Sequence, residues 1–196
     1  MAVVLVDAGG TNIGSVRYAL QRLGVDAALT ADPALIRAAD KVILPGVGAA
    51  GPGMARLREL GLVELMRGLT QPVLGVCLGM QLLCTHSEEG DTACLGLIPA
   101  SVGRFAEVPG LRIPHMGWNR LVAKKSHLLL DGMGGDDWAY FVHSYAVPVG
   151  EYTLAIADYA GEFSAVVARG NFHGMQFHPE RSAAVGARLL KNFLSL

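Results

Sequence analysis

The chain has 196 residues, of which 52% are hydrophobic and 17% are charged. This composition is typical of a well-packed globular protein and excludes a disordered chain. The formal net charge of −1 gives no general attraction to nucleic acid or to an anionic membrane, so we expect neither as a partner. The length predicts one domain, residues 1–196.

The cysteine content indicates a reducing compartment. The chain has three cysteines, Cys77, Cys84 and Cys94, an odd number without the paired spacing of a zinc site. No basic segment of a signal peptide follows Met1, and the uncharged run 69–87 is interrupted by polar residues and a proline. We therefore predict a cytoplasmic protein without a membrane anchor.

The first half of the chain alternates apolar segments with segments of helical periodicity. Strands are predicted at 2–7, 41–45 and 73–76, and helices at 13–23, 57–69 and 78–86. Apolar strands that alternate with helices are typical of a parallel sheet covered on both faces. We predict an α/β fold whose central sheet is mixed, mostly parallel and flanked by helices on both faces.

The second half of the chain has a different pattern from about residue 100 onward. Short β-prone segments are predicted at 112–114, 118–122, 139–143, 152–157, 164–169 and 172–176. Because no flexible linker precedes them, we expect antiparallel additions to the same sheet. Ser182 is predicted to cap a last helix with Val185, Leu189 and Phe193 on one face.

A cysteine stands where a predicted strand passes into a predicted helix. Gly75-Val76-Cys77-Leu78-Gly79 is the thiol version of the Gly-x-Ser-x-Gly nucleophile elbow, in which the glycines permit a sharp turn. A helix that begins just after Cys77 would direct its N–H groups at the sulfur and favour the thiolate. We predict that Cys77 is a nucleophile and that Cys84 and Cys94 are small core residues.

A base and its orienting group are both present in the segment Gln176-Phe177-His178-Pro179-Glu180. On an extended backbone His178 and Glu180 point to the same side, so the carboxylate could hold one imidazole nitrogen and leave the other for Cys77. A thiol nucleophile needs such a base with a fixed orientation. The sequence thus predicts a catalytic triad of Cys77, His178 and Glu180.

Two backbone amides are candidates for an oxyanion hole. The residue after an elbow nucleophile, Leu78, usually provides one N–H donor. The second is predicted at Val47, because Gly46 and Gly48 on either side allow its amide to turn toward a substrate.

The same glycine-rich segment, 46–51, also has the Gly-x-Gly-x-x-Gly form of a dinucleotide-binding loop. We regard this alternative as weaker, because Pro52 and Gly53 follow where a helix should run. No acidic residue stands about twenty positions further on, near Gln71, to bind a ribose.

The motifs together resemble a known family. Gly75-Val76-Cys77-Leu78-Gly79-Met80-Gln81 and His178-Pro179-Glu180 are similar to those of the class I, triad-type glutamine amidotransferases. Pro114-His115-Met116-Gly117-Trp118-Asn119 and Phe141-Val142-His143-Ser144-Tyr145 resemble the glutaminase subunits of imidazole glycerol phosphate synthase within that superfamily. The similarity extends over essentially the whole chain.

The resemblance implies a reaction and a partner. Glutamine would be hydrolysed to glutamate and ammonia through a γ-glutamyl thioester on Cys77, without a cofactor or a metal ion. The ammonia would pass to a (βα)₈ cyclase subunit in a heterodimer. There it would react with the ribulosyl aminoimidazole nucleotide PRFAR to give imidazole glycerol phosphate and AICAR, a step of histidine biosynthesis.

The resemblance also implies roles for further residues. The glutamine pocket would be lined by Gly48, Gln81, Ser144 and Tyr145. The surface near the cyclase would include Asn12, Trp118, Tyr140 and Arg181. For Trp118 a place in the core is an alternative.

Two rival functions stay open from the sequence. The chain could be a glutaminase that serves another acceptor, as in anthranilate, GMP or pyridoxal phosphate synthesis, and only the two middle motifs argue against this. It could also be a non-catalytic protein with a cysteine elbow, in which case the His178-Pro179-Glu180 segment is a coincidence.

Overall fold

The computed structural model describes residues 1–9 and 13–196 and contains a nine-stranded mixed sheet and a separate four-stranded sheet. The strands are β1 (Val3–Val6), β2 (Ala28–Thr30), β3 (Lys41–Gly46), β4 (Val73–Cys77), β5 (Cys84–Ser87), β6 (Thr92–Ala93), β7 (Ile98–Arg104), β8 (His115–Ala123), β9 (Asp137–His143), β10 (Tyr145–Ala146), β11 (Thr153–Asp158), β12 (Glu162–Arg169) and β13 (Phe172–Met175). The helices are α1 (Ile13–Arg22), α2 (Pro33–Ala38), α3 (Ala50–Glu59), α4 (Leu62–Arg67), α5 (Leu78–Leu82) and α6 (Ala183–Ser195), and the 3₁₀ turns are Leu128–Leu130 and Pro179–Arg181.

The large sheet has the strand order β2-β1-β3-β4-β13-β12-β11-β8-β9. The pairings from β2 to β13 are parallel, and those from β13 to β9 are antiparallel. The predicted mixed α/β fold with antiparallel additions in the second half is confirmed.

Helices cover both faces of this sheet. Along β1, Val3 and Leu5 belong to one core cluster and Val4 and Val6 to the other, as the two-residue period of a strand requires. The first cluster also contains residues of α1 and α6, and the second contains residues of α2, α3, α4 and α5. No helix within residues 1–9 and 13–196 has the length and apolarity needed to cross a bilayer.

Two predicted helices differ from the observed ones. The helix predicted at 78–86 ends at Leu82, because the carbonyls of Leu82, Leu83 and Cys84 accept hydrogen bonds from the segment 95–98. β5 follows and joins β7 in the four-stranded sheet, which the sequence did not predict. The helix predicted at 57–69 is divided into α3 and α4 by Gly61, whose φ is +66°.

Two further expectations about local structure were wrong. The segment 112–114 is not a strand, and β8 begins only after Pro114, which lacks the N–H that a ladder requires. Pro52 does not prevent a helix, because it lies in the first turn of α3, where no intrahelical partner is needed for its nitrogen.

Three glycines allow α5 to approach the sheet closely. A Cβ atom on Gly79 would lie 1.8 Å from the carbonyl oxygen of Leu44, and one on Gly75 would lie 2.6 Å from the carbonyl carbon of Gly79. A Cβ on Gly46 would lie 2.8 Å from the amide nitrogen of Gly79. No side chain fits at this crossing of α5 over β3 and β4.

We expect Gly79→Ala to destabilise the protein strongly, because the backbone of Leu44 has no room to move away. The free energy of unfolding in urea should fall by about 3 kcal/mol or more. Gly134→Ala is the matched control, since a Cβ there meets no atom within 4 Å, and it should change stability by less than about 0.5 kcal/mol. Equal stability of the two variants would contradict the close approach.

Candidate active site

A cavity of about 350 Å³ lies at the carboxyl ends of β3 and β4. Its position agrees with the general rule that ligands of open α/β sheets bind beyond the carboxyl ends of parallel strands. It is lined by Val47, Gly48, Cys77, Leu78, Gln81, Glu89, Pro114, Val142, His143, Ser144, Tyr145 and His178. The cavity therefore brings together the predicted nucleophile, base, oxyanion amides and pocket residues.

Cys77 lies at a strained turn between β4 and α5. Its φ of 53° and ψ of −113° are unusual for a residue with a side chain, and such strain is typical of functional sites. The positive φ is that of the cysteine, whereas Gly75 and Gly79 are needed for the close contact with α5. α5 has only five residues, so its helix dipole is a weak source of positive charge. The main positive charge near the sulfur therefore comes from a side chain.

His178 provides that side chain. Its Nδ1 lies 2.9 Å from Oε1 of Glu180, and both side chains are more than nine-tenths buried. His178 and Cys77 line the same cavity, and Cys77 is near enough to the imidazole to raise its pKa. Glu180 reaches the ring from the 3₁₀ turn Pro179–Arg181 and not from the extended segment that the sequence suggested.

The charges around His178 favour its protonated form. Burial alone lowers the pKa of the imidazole, but its interactions with the neighbouring Cys77 and Glu180 side chains outweigh burial and raise the pKa to about 10. At neutral pH the site therefore holds an imidazolium between a sulfur and a carboxylate.

Ser182 fixes the backbone of His178. Its Oγ donates to the carbonyl of His178 at 2.7 Å and accepts from the amide of Tyr140 at 2.9 Å, while the amide of His178 donates to the carbonyl of Tyr140 at 2.9 Å. The predicted side-chain cap of α6 by Ser182 is absent, because these contacts use its hydroxyl. Leu189 and Phe193 of α6 are buried as predicted, and Val185 is partly buried.

Gln81 presents only an oxygen to the cavity. Its Nε2 donates to the carbonyl of Tyr145 at 2.9 Å and to Oε1 of Gln176 at 2.9 Å, so both amide hydrogens are used. Its Oε1 is thus the polar atom left for a ligand, and it can pair only with a donor.

Val47 and Leu78 occupy adjacent places beside Cys77. β3 and β4 pair in parallel so that Gly46 is opposite Cys77, and Val47 and Leu78 are the residues that follow the ends of these two strands. Gly48 follows with a φ of +97°, which favours glycine. Both predicted oxyanion residues therefore border the cavity next to the sulfur.

The sequence analysis missed Glu89. This carboxylate lines the cavity, and its Oε2 accepts from the amide of Ala50 at 2.9 Å. The loop after β5 carries it there, so the wrong prediction of a helix through residue 86 concealed its position. The acidic pair Glu88-Glu89 after a polar segment was the signal available in the sequence.

A buried histidine pair supports the far wall of the cavity. His143 Nδ1 donates to the carbonyl of Tyr145 at 2.8 Å, and its Nε2 lies 3.0 Å from Nδ1 of His115. Burial lowers the pKa of His143 to about 3 and that of His115 to about 4. Both rings are neutral at pH 7, and since the carbonyl only accepts, His115 must donate to His143.

Three of the four predicted interface residues lie together outside the cavity. Trp118 and Tyr140 are opposite each other on β8 and β9, with ring centroids 6.0 Å apart, and the Arg181 guanidinium lies 4.8 Å from the Tyr140 ring centroid. Trp118 is 51% exposed, so its alternative place in the core is wrong. The fourth, Asn12, lies outside the described residues.

The other two cysteines, Cys84 and Cys94, are buried and do not line the cavity. Burial raises the pKa of Cys84 to about 12 and that of Cys94 to about 11, so both stay thiols. In the part of the chain that the structure describes, no three His, Cys, Asp or Glu side chains form a group that could hold a metal ion.

Comparisons with known proteins identify the family of the chain. The family model "Glutamine amidotransferase class-I" matches residues 4–196. The chain is 58% identical over 194 residues to the imidazole glycerol phosphate synthase subunit HisH of Xanthomonas axonopodis pv. citri (strain 306), which covers 99% of this chain and 97% of that protein. It is 54% identical over 194 residues to the subunit of the same name in Xylella fastidiosa (strain Temecula1 / ATCC 700964), with coverage of 99% and 97%.

A solved structure described as a glutamine amidotransferase has a TM-score of 0.77 at 23% identity and covers 100% of this chain and 98% of its own, which shows the shared fold. The chain belongs to the class-I glutamine amidotransferase family, among the imidazole glycerol phosphate synthase HisH subunits.

Proposed function

We propose that this enzyme hydrolyses L-glutamine to glutamate and ammonia with Cys77 as the nucleophile. The observation that carries the proposal is the placement of Cys77 and His178 at the wall of one cavity, with Glu180 bound to Nδ1 of the imidazole. An amide is a poor electrophile, so its hydrolysis requires an activated nucleophile and a proton donor for the leaving amine. Cys77 and His178 supply these two functions.

The first half of the reaction forms the thioester. The Cys77 thiolate attacks the side-chain carbonyl carbon of glutamine, and the carbonyl oxygen becomes negative within reach of the Val47 and Leu78 amides. The imidazolium of His178 then gives its proton to the amide nitrogen, the C–N bond breaks and ammonia leaves. Glu180 keeps the ring oriented and stabilises its positive charge throughout.

The second half releases glutamate. His178, now neutral, takes a proton from a water molecule, which attacks the thioester carbon. The C–S bond breaks, glutamate leaves, and the thiolate and the imidazolium are restored. Each proton that His178 gives is thus replaced within one cycle.

The polar groups of the cavity match the two ends of glutamine. Glu89 offers a carboxylate to the α-ammonium group, and Oε1 of Gln81 offers an acceptor to an N–H of the substrate. Gly48, Ser144 and Tyr145 border the same space and complete the pocket in this proposal.

We further propose that the ammonia passes to a (βα)₈ cyclase subunit, which converts PRFAR to imidazole glycerol phosphate and AICAR. The relatives at 54–58% identity are named as subunits of imidazole glycerol phosphate synthase. The outward side of β8 and β9 carries Met116, Trp118, Trp138 and Tyr140, and the first three are exposed. Exposed aromatic residues grouped in this way are typical of protein interfaces.

The main chain connects this surface to the site. The carbonyl and the amide of Tyr140 bind His178 and Ser182, so a partner that contacts Tyr140 acts one residue away from the proposed base.

We also propose that residues 1–196 form one glutamine amidotransferase domain and that it works in the cytoplasm. One family model spans 4–196, and the three cysteines are free thiols, as a reducing compartment favours.

Replacement of the base tests the reaction. We expect His178→Asn to reduce glutamine turnover in the complete synthase by about 10²–10⁴-fold, because the leaving ammonia loses its proton donor. The matched control is His86→Asn, which changes a surface histidine that pairs with Asp91 and should keep full activity. Undiminished turnover in a folded His178→Asn variant would exclude this mechanism and favour a non-catalytic role for the elbow.

The raised pKa of His178 predicts a dependence of stability on pH. The unfolded side chain has a pKa near 6.5, and the folded one about 10, so the stabilisation is complete below pH 6.5 and is lost as the pH rises to 10. Between about pH 8.5, where the unfolded thiol loses its own proton, and pH 10 the free energy of unfolding should fall more steeply in the native protein than in His178→Asn, by up to about 1.4 kcal/mol per pH unit. Parallel curves from urea titrations of the two proteins would contradict the charged pair.

The exposed aromatic residues test the partner. Trp118→Ala should weaken binding of the cyclase subunit about tenfold or more, because large aromatic residues dominate interface energies. The melting temperature should change little, since Trp118 is half exposed. Leu128→Ala, which alters an exposed apolar residue elsewhere, should leave binding unchanged. A large loss of melting temperature together with unchanged complex formation would mean that Trp118 supports the fold instead.

A further inference from the structure

Gln176 is a fully buried polar residue in contact with the sulfur. It follows β13 directly, its side chain has no exposed surface, and its Nε2 lies 3.9 Å from Sγ of Cys77. Its backbone amide donates a hydrogen bond to the carbonyl of Ala165, so the polar side chain is not needed to satisfy this amide. A buried amide without a function would cost stability unless its hydrogen bonds are satisfied.

The direction of its hydrogen bonds follows from one main-chain carbonyl. The carbonyl of Tyr145 can only accept, so the Gln81 atom 2.9 Å away must be the nitrogen. The second hydrogen of that nitrogen points to the Gln176 side chain at 2.9 Å, which must accept with its Oε1. The nitrogen of Gln176 is consequently the atom that faces Cys77.

A second donor holds the same carbonyl. His143 donates to it from Nδ1 at 2.8 Å, and the neutral His115 supports His143 from behind. Two donors from different parts of the chain thus fix the carbonyl of Tyr145, and the carbonyl fixes the orientation of both glutamines. The amide of Gln176 cannot be reversed without two buried donors facing each other.

We infer that Gln176 is a further catalytic residue, whose N–H binds the sulfur of Cys77 and stabilises it as a thiolate. The inference rests on the proposed reaction at Cys77. A hydrogen bond to the charged form of a group favours that form, and the thiolate appears twice in the cycle, as nucleophile and as leaving group.

The connection extends to the substrate pocket. Gln81 binds Gln176 through its nitrogen and offers its oxygen to the cavity, and Tyr145 lines the cavity while its carbonyl orients Gln81. A ligand that displaces Gln81 or the segment 144–145 would thereby change the donor on the sulfur. Gln176 thus couples occupancy of the pocket to the reactivity of Cys77.

The test is the pH dependence of Cys77 alkylation by iodoacetamide in the full-length chain, followed by mass spectrometry of the labelled peptide. Gln176→Met removes the donor without adding charge, and Gln176→Glu keeps the acceptor for Gln81 but replaces the N–H with an oxygen. We expect the pH midpoint of alkylation to rise by about 0.5–1 unit in Gln176→Met and by more in Gln176→Glu. The matched control is Gln71→Glu, near the opposite end of β4, which should keep the native midpoint.

The possible results distinguish a failure of the inference about Gln176 from a failure of the proposed glutamine hydrolysis. A native midpoint in a folded Gln176→Met variant overturns the inference, and a lowered melting temperature with that native midpoint means that Gln176 only supports the fold. If neither variant folds, the side-chain amide signals of the glutamines in the native chain and in Cys77→Ala decide, because one N–H signal must shift when the sulfur is removed. Failure of the native synthase to hydrolyse glutamine would instead refute the proposed function, whatever the midpoint shows.

Discussion

The close crossing of α5 over β3 and β4 is the constraint on which the site depends. Because Gly79 lies against the carbonyl of Leu44 and against Gly75, the chain must turn sharply between the strand and the helix. Cys77 takes the strained conformation at this turn, with its φ of 53°, and its side chain borders the cavity. The packing of the sheet thus supports the strain, and the sulfur is presented at a fixed point of a rigid scaffold.

The active site also requires a buried positive charge, that of the His178 imidazolium. An imidazolium is unfavourable in a region that water reaches poorly, and His178 keeps its proton because its interactions with Cys77 and Glu180 raise its pKa. The Ser182 hydroxyl and the main chain of Tyr140 hold the same residue from behind. The base is therefore positioned by contacts with the surface that we propose binds the cyclase subunit.

Much of the fold was accessible from the sequence. The alternation of apolar strands and helices predicted β1, β3 and β4 of the parallel half of the sheet but not β2. The β-prone segments after residue 100 predicted most of the antiparallel half, although β13, expected to be antiparallel, pairs with β4 in parallel. The four-stranded sheet was missed, since β5 forms by pairing with β6 and β7, which follow it in the chain. The error hid Glu89, which reaches the cavity from the loop after that strand.

The sequence by itself determined the chemistry that is local in the chain: a cysteine between glycines at the end of a strand, and a histidine two residues before a glutamate. These features are set by a few adjacent residues, whose preferred turns and spacing can be read directly. Only the tertiary structure decided the direction of the buried hydrogen bonds, in which the carbonyl of Tyr145 orients Gln81 and Gln176 toward the sulfur. Partners 64 and 95 residues apart meet there, and no local preference encodes which atom of an amide faces which neighbour.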